Sequence, residues 1–145
     1  MRRIVSVFIV LSSLAFAPAP VYRAKPDRRT DLEKIQGEWV RVSILTDGKR
    51  HEEAVGSVVP TIKGDTMAFG SPNDTWRLTL DATKSPKQFD GRRLESDMYF
   101  VGVYKLEGDS LVVCWHLSKS ESDRPASFDP AQPNVWLHVF ERKKP

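Results

Sequence analysis

Apolar and polar residues alternate with a period of two through much of the chain, most clearly over residues 101–116. Val101 and Val103 fall on one face there, Tyr104 and Leu106 on the other. Beyond Gly108 and Asp109, Leu111, Val113 and Trp115 share one face, and Val112, Cys114 and His116 share the other. Period-2 runs of β-branched and aromatic residues around a Gly-Asp pair predict a β-hairpin.

Similar runs precede and follow this hairpin. Residues 38–45 alternate Val40, Val42 and Ile44 with Trp39, Arg41 and Ser43, and end at a turn at Asp47 and Gly48. Residues 51–56 are irregular and are read as a lid. Strands are predicted at 57–63, where Pro60 suggests an edge or bulge, and at 66–70. The cleanest strand is 75–82, with Trp76, Leu78, Leu80 and Ala82 inward. Residues 88–96 read as a short extended piece with a turn at Asp90 and Gly91. Residues 118–133 form a long polar loop with Pro125, Pro130 and Pro133, a candidate lid or partner surface. The last strand, 134–142, sets Val135, Leu137 and Val139 against Trp136, His138 and Phe140. Only one helix is expected, at 30–36. Thr30 and Glu33 fit a capping box, and Gly37 stops it.

About eight short strands with regular turns predict an all-β fold, a small antiparallel up-and-down barrel with a short N-terminal helix. A sandwich has the same pattern, but a barrel removes exposed edges. The length, 145 residues, suits one domain, here 30–145.

Composition changes the picture at the N-terminus. Arg2 and Arg3 precede an apolar run at 4–16, and small residues at 15–19 fit a cleavage site, so residues 1–19 read as a secretory signal peptide. Proline follows both candidate sites, as Pro18 or Pro20, which keeps a retained anchor as the alternative. Residues 20–29 read as a linker. The reading is therefore an exported protein, periplasmic or extracellular, with no transmembrane helix unless that segment is retained. Net charge is +3, of which Arg2 and Arg3 supply two. The remaining basic residues are scattered, which argues against a nucleic-acid partner. Cys114 is the single cysteine, so no intrachain disulfide forms and the core must hold the fold.

Several short motifs occur in a suggestive order: Asp31-Leu-x-x-Ile-Gln-Gly-x-Trp39, Asp47-Gly48, Leu80-Asp-x-x-Lys-x-Pro-Lys-x-x-Asp90, Gly102-x-Tyr-x-Leu-x-Gly-Asp-x-Leu-x-x-Cys114, Arg124-Pro-x-x-Phe128 and Arg142. Together they resemble the lipocalin-like domain family of unknown function that recurs in exported proteins of planctomycete bacteria, over about residues 31–143. The resemblance implies a lipocalin-like barrel and export, and carries no established activity. Gly37-x-Trp39 also resembles the opening signature of true lipocalins, where a basic residue of the last strand covers the tryptophan and closes the barrel. Arg142 is the matching candidate, through a cation–π contact.

Candidate chemistry is sparse. Cys114, His116 and His138 would suit zinc or copper if the last strand brought His138 to the face of the other two. No C-x-x-C or H-x-x-x-H spacing supports a metal, and a half-buried sheet face explains all three residues. A Cys–His dyad fails because residues two apart on a strand point in parallel. Asp81, Asp90, Asp97 and Asp109 read mostly as turn residues rather than an acid/base pair. The aromatic set Trp39, Trp76, Tyr104, Trp115 and Trp136 lines either a ligand cavity or a filled core. Arg124 and Phe128 are read either as a lid arm at the mouth or as a loop anchor, with Phe128 in the barrel end and Arg124 paired to an Asp. The function expected is non-enzymatic binding of a small apolar ligand at the barrel mouth by Trp76, Tyr104, Trp115, Arg124 and Phe128. The alternative is a ligand-free interaction module for an envelope protein. No cofactor is implied, and a monomer is expected.

Overall fold

The computed structural model describes Asp27 and residues 29–145, so the signal-peptide reading of 1–19 and most of the linker lie outside the described residues. Among the described residues, no helix is long and apolar enough to cross a membrane. The elements are helix α1 (Asp31–Lys34) and strands β1 (Gly37–Thr46), β2 (Lys49–Arg50), β3 (Thr61–Lys63), β4 (Thr66–Ala68), β5 (Thr75–Asp81), β6 (Lys87–Arg93), β7 (Tyr99–Glu107), β8 (Ser110–His116) and β9 (Val135–Arg142). From β3 to β9 each strand pairs antiparallel with the next, and β1 pairs with both β3 and β9. Eight strands thus close an antiparallel up-and-down barrel, and β2 adds a short ribbon to β1. The β7–β8 hairpin turns at Gly108 and Asp109 as the alternation predicts. Gly108 takes φ +57°, which glycine adopts without a Cβ penalty.

Several strands differ from the sequence reading: β2 is not expected from it, and β3 covers only Thr61–Lys63 of the expected 57–63. Asp90 and Gly91 form no turn: β6 runs straight through them, opposite Thr79 and Leu78 of β5. Gly91 serves packing instead, because a Cβ there would lie 2.2 Å from the Phe100 ring. In β1 the register shifts between Arg41 and Ser43, leaving Val42 as a bulge. A bulge resets the alternation. Arg41 opposite Phe140 and Ile44 opposite His138 therefore both belong to the inward row, although they differ in parity. Residues 51–60, expected to include a lid, run along β1. The amides of His51 and Gly56 donate to the carbonyls of Ile44 (3.1 Å) and Arg41 (2.8 Å), and the Trp39 amide donates to Pro60 (2.9 Å).

One barrel end is closed. The Thr30–Glu33 capping box forms in both directions and starts α1. Trp39, fully buried, donates its indole N–H to the Ile35 carbonyl at 2.8 Å. The Arg142 guanidinium lies 4.4 Å from the Trp39 ring centroid. It also donates to the carbonyls of Gln36 (2.7 Å) and Lys34 (2.6 Å), satisfying acceptors at the helix end. Asp31 accepts from Lys87 (2.6 Å) and the Tyr104 hydroxyl (2.7 Å), tying the helix to β6 and β7. Burial alone would raise the Asp31 carboxyl, but these two donors outweigh it and hold the group below the usual carboxylate range.

The barrel interior is filled from this end by Trp39, Ile62, Met67, Phe89, Tyr104, Leu111, Val113 and Phe140. Burying each large apolar side chain stabilises the fold by roughly 1.5–3 kcal/mol. A second, smaller cluster lies on the outer face, where Val103, Cys114 and Val135 pack with Phe128 and Leu137.

Candidate functional site

The open end lies where β5, β7 and β9 begin and β8 ends. β7 and β9 bring Phe100 and His138 inward there, β5 brings Trp76, and β8 brings Trp115. With Phe69, Met98, Leu117, Trp136, Arg41 and Asp74 they line a cup of about 270 Å³. Aromatic rings make its floor and walls. Trp115 stands 4.7 Å from Phe100, 6.1 Å from Phe69 and 4.5 Å from His138, and Trp76 is 5.2 Å from Phe100. Met98, Leu117 and Trp136 form an exposed apolar rim.

The polar groups of the cup are few. His138 is 2 % exposed, and neither of its ring nitrogens has a hydrogen-bond partner among the described residues. Burial, helped by the nearby Arg41 charge, lowers its pKa to about 3, so the imidazole is neutral. The Arg41 Nε donates to the Ala54 carbonyl (3.0 Å) and Nη2 donates to the Ser57 hydroxyl (3.2 Å). Among the described residues no carboxylate lies within 4.0 Å of its guanidinium, and burial lowers its pKa. Asp74 is already engaged, accepting from the Trp76 indole at 2.9 Å and facing Arg93 at 3.6 Å.

This geometry divides the residues singled out from sequence. Trp76 and Trp115 line the cup. Tyr104 does not, because its hydroxyl is bound to Asp31 at the closed end. Arg124 and Phe128 are also away from the mouth. Phe128 packs on the outer cluster rather than in the barrel end. Arg124 is buried on the outer wall, donating to both Asp90 oxygens, to Glu121 and, at 2.7 Å, to the Gly102 carbonyl. Its bond to Asp90 outweighs burial and raises the guanidinium pKa further. The pair pins the loop that carries the 3₁₀ turn Glu121–Asp123 across β6 and β7. Arg124→Ala should cost about 2 kcal/mol, because Asp90 loses its ion partner. Urea unfolding would measure the loss, and limited proteolysis should cut first within 118–133.

The register also separates the three metal-ligating candidates. His138 stands opposite Val113, so it faces the barrel interior, whereas Cys114 is opposite Leu137 on the outer face. The Cys114 thiol is pushed up to about 11 by burial and by the Asp129 charge. His116 lies on the outer side with Cys114, its Nδ1 buried without a partner. Among the described residues, no three His, Cys, Asp or Glu are grouped to hold a metal ion.

The alternation places Arg41 on the face of Trp39, and that face is the inward one, but nothing in the sequence marks Arg41 as a cup residue. His138 was considered only for metal binding, and its place in the cup depends on the β8–β9 register. No family model, curated protein or solved structure matches this chain.

Proposed function

We propose that the chain is an exported, non-enzymatic, lipocalin-like binding barrel that holds a small apolar or amphipathic ligand in the cup at its mouth. The observation that carries this reading is the cup itself, an aromatic recess with a fully buried imidazole that has no protein partner. Buried polar groups left unsatisfied cost about 1–3 kcal/mol, and a ligand that bonds them recovers that cost. A concave, mainly apolar site with few converging polar groups is the usual form of a small-molecule pocket. The signal-like segment at 1–19 supports export. Acid/base chemistry finds little support here, since His138 lacks the orienting carboxylate that a general base uses.

Native and denaturing mass spectrometry of the full chain tests the reading. A mass difference that disappears on denaturation supports a bound ligand. No difference, together with unchanged tryptophan fluorescence on adding naphthalene-type probes, overturns it. The alternative would then lead: a filled barrel that docks a protein through its rim. The exposure of Leu94, Met98, Leu117 and Trp136 at that end is what favours this second reading.

A further inference from the structure

The cup carries information about the chemistry of its occupant. Its walls are rings: Trp76, Phe100 and Trp115 are each less than a tenth exposed. Its volume of about 270 Å³ exceeds the roughly 150 Å³ that accommodates a benzene in an apolar cavity. One or two fused rings with a small substituent match that space.

The polar end is defined by what is missing around Arg41 and His138. Arg41 lies half-buried on the inward row of β1, two residues from Trp39, and two neutral oxygens hold it in place. Its charge has no counter-ion among the described residues. His138 lies close enough to feel that charge, and offers an N–H with no acceptor. A desolvated cation beside a buried, unused donor suits an anionic oxygen, because charge-assisted hydrogen bonds are the stronger kind. Asp74 stands on the same cup, so a second negative charge on the ligand would meet repulsion that Arg93 and Trp76 only partly offset. A single negative charge is therefore favoured over the roughly double charge of a phosphate monoester.

We propose that the mouth cup binds a small aromatic monocarboxylate, its ring against Trp76, Phe100 and Trp115 and its carboxylate on the Arg41 guanidinium and the His138 imidazole. This inference rests on the reading of the cup as a ligand site.

The test uses the full chain with 2-naphthoate and its neutral counterpart 2-naphthamide, followed by calorimetry and by NMR of the arginine and histidine side chains. The expected result is at least about 10-fold tighter binding of the carboxylate, the discrimination that one charge-assisted hydrogen bond provides. Arg41 and His138 resonances should shift with naphthoate and much less with naphthamide. Arg41→Gln should bring the two affinities toward parity, chiefly by weakening naphthoate. Equal or tighter binding of naphthamide by the wild-type protein would overturn the carboxylate assignment and leave the apolar binding reading standing. Absence of binding by both probes would overturn both. A naphthoate preference in the wild type without a shift at Arg41 would also sink the assignment, and this readout does not depend on any variant folding.

Discussion

Lowering the pH from about 6.5 to about 4.5 is expected to cost the protein about 2 kcal/mol of folding stability through His138 alone. Burial drops the folded-state pKa of this imidazole from 6.5 to about 3. Below pH 6.5 the unfolded chain takes up a proton that the folded chain refuses until about pH 3. The neutral ring's contribution is therefore complete above 6.5 and is lost as pH falls toward 3, at about 1.4 kcal/mol per unit. Arg41 is the charged group that adds to the shift. Asp31, held low by Lys87 and Tyr104, and the lowered Glu33, Glu53 and Glu121 begin to lose their contributions as the pH enters the ordinary carboxylate range, so the slope above about pH 5.5 reports the imidazole. Urea unfolding across this range gives the slope directly. His138→Phe keeps a ring against Trp115 and removes the proton site, so its stability should vary much less with pH. Equal slopes for the two proteins would rule out a buried neutral His138.

The second large effect is expected at Gly91, where substitution to alanine should destabilise the fold by about 3 kcal/mol. The added Cβ would lie 2.2 and 2.3 Å from two atoms of the Phe100 ring. That ring cannot swing aside, since Phe89, Trp76 and Trp115 pack around it at centroid distances of 5.6, 5.2 and 4.7 Å. Phe100→Leu in the same chain should recover part of the loss, because the side chain that clashes becomes smaller. Gly102→Ala provides the contrast. Its Cβ would meet the Cys114 carbonyl oxygen at 2.7 Å and the Phe89 carbonyl oxygen at 3.0 Å, which are backbone atoms that no single side-chain change relieves. Thermal or chemical unfolding of the three variants decides the point. If Phe100→Leu leaves Gly91→Ala no better, the ring is not the obstacle.

Local chemistry was legible in the sequence wherever its cause was local. The Thr30–Glu33 box, the Gly108-Asp109 hairpin and the alternation of β5 each depend on neighbours a few residues apart. The eight-stranded closed barrel followed from their number and spacing. Asp90-Gly91 misled because the dipeptide has turn chemistry, while the reason for this glycine is the ring of Phe100 on the neighbouring strand, β7. The inward face of Ile44 is hidden by the bulge at Val42, which leaves no clear mark in a Val-Arg-Val-Ser run. Whether His138 joins Cys114 or opposes it depends on a one-residue choice of register between β8 and β9. The cup was accordingly half visible: Trp76 and Trp115 were named, whereas its polar pair was not recognised as a pair. Arg124 pairs with Asp90, as the anchor reading expects, but Phe128 packs on the outer wall rather than in the barrel end.

The closing seam between β1 and β9 has a consequence for how the molecule is made. Trp39 of the first strand stands opposite Arg142 of the last, so the seam joins residues most of the domain's length apart. Such a contact is costly in loop entropy and forms late, and barrels dominated by distant pairings fold slowly. The ribosome delivers β9 last. Until it arrives, β1 and β8 each present an unpaired edge, and the Trp39 indole has no guanidinium above it. A chain without β9 is thus exposed to edge-to-edge association.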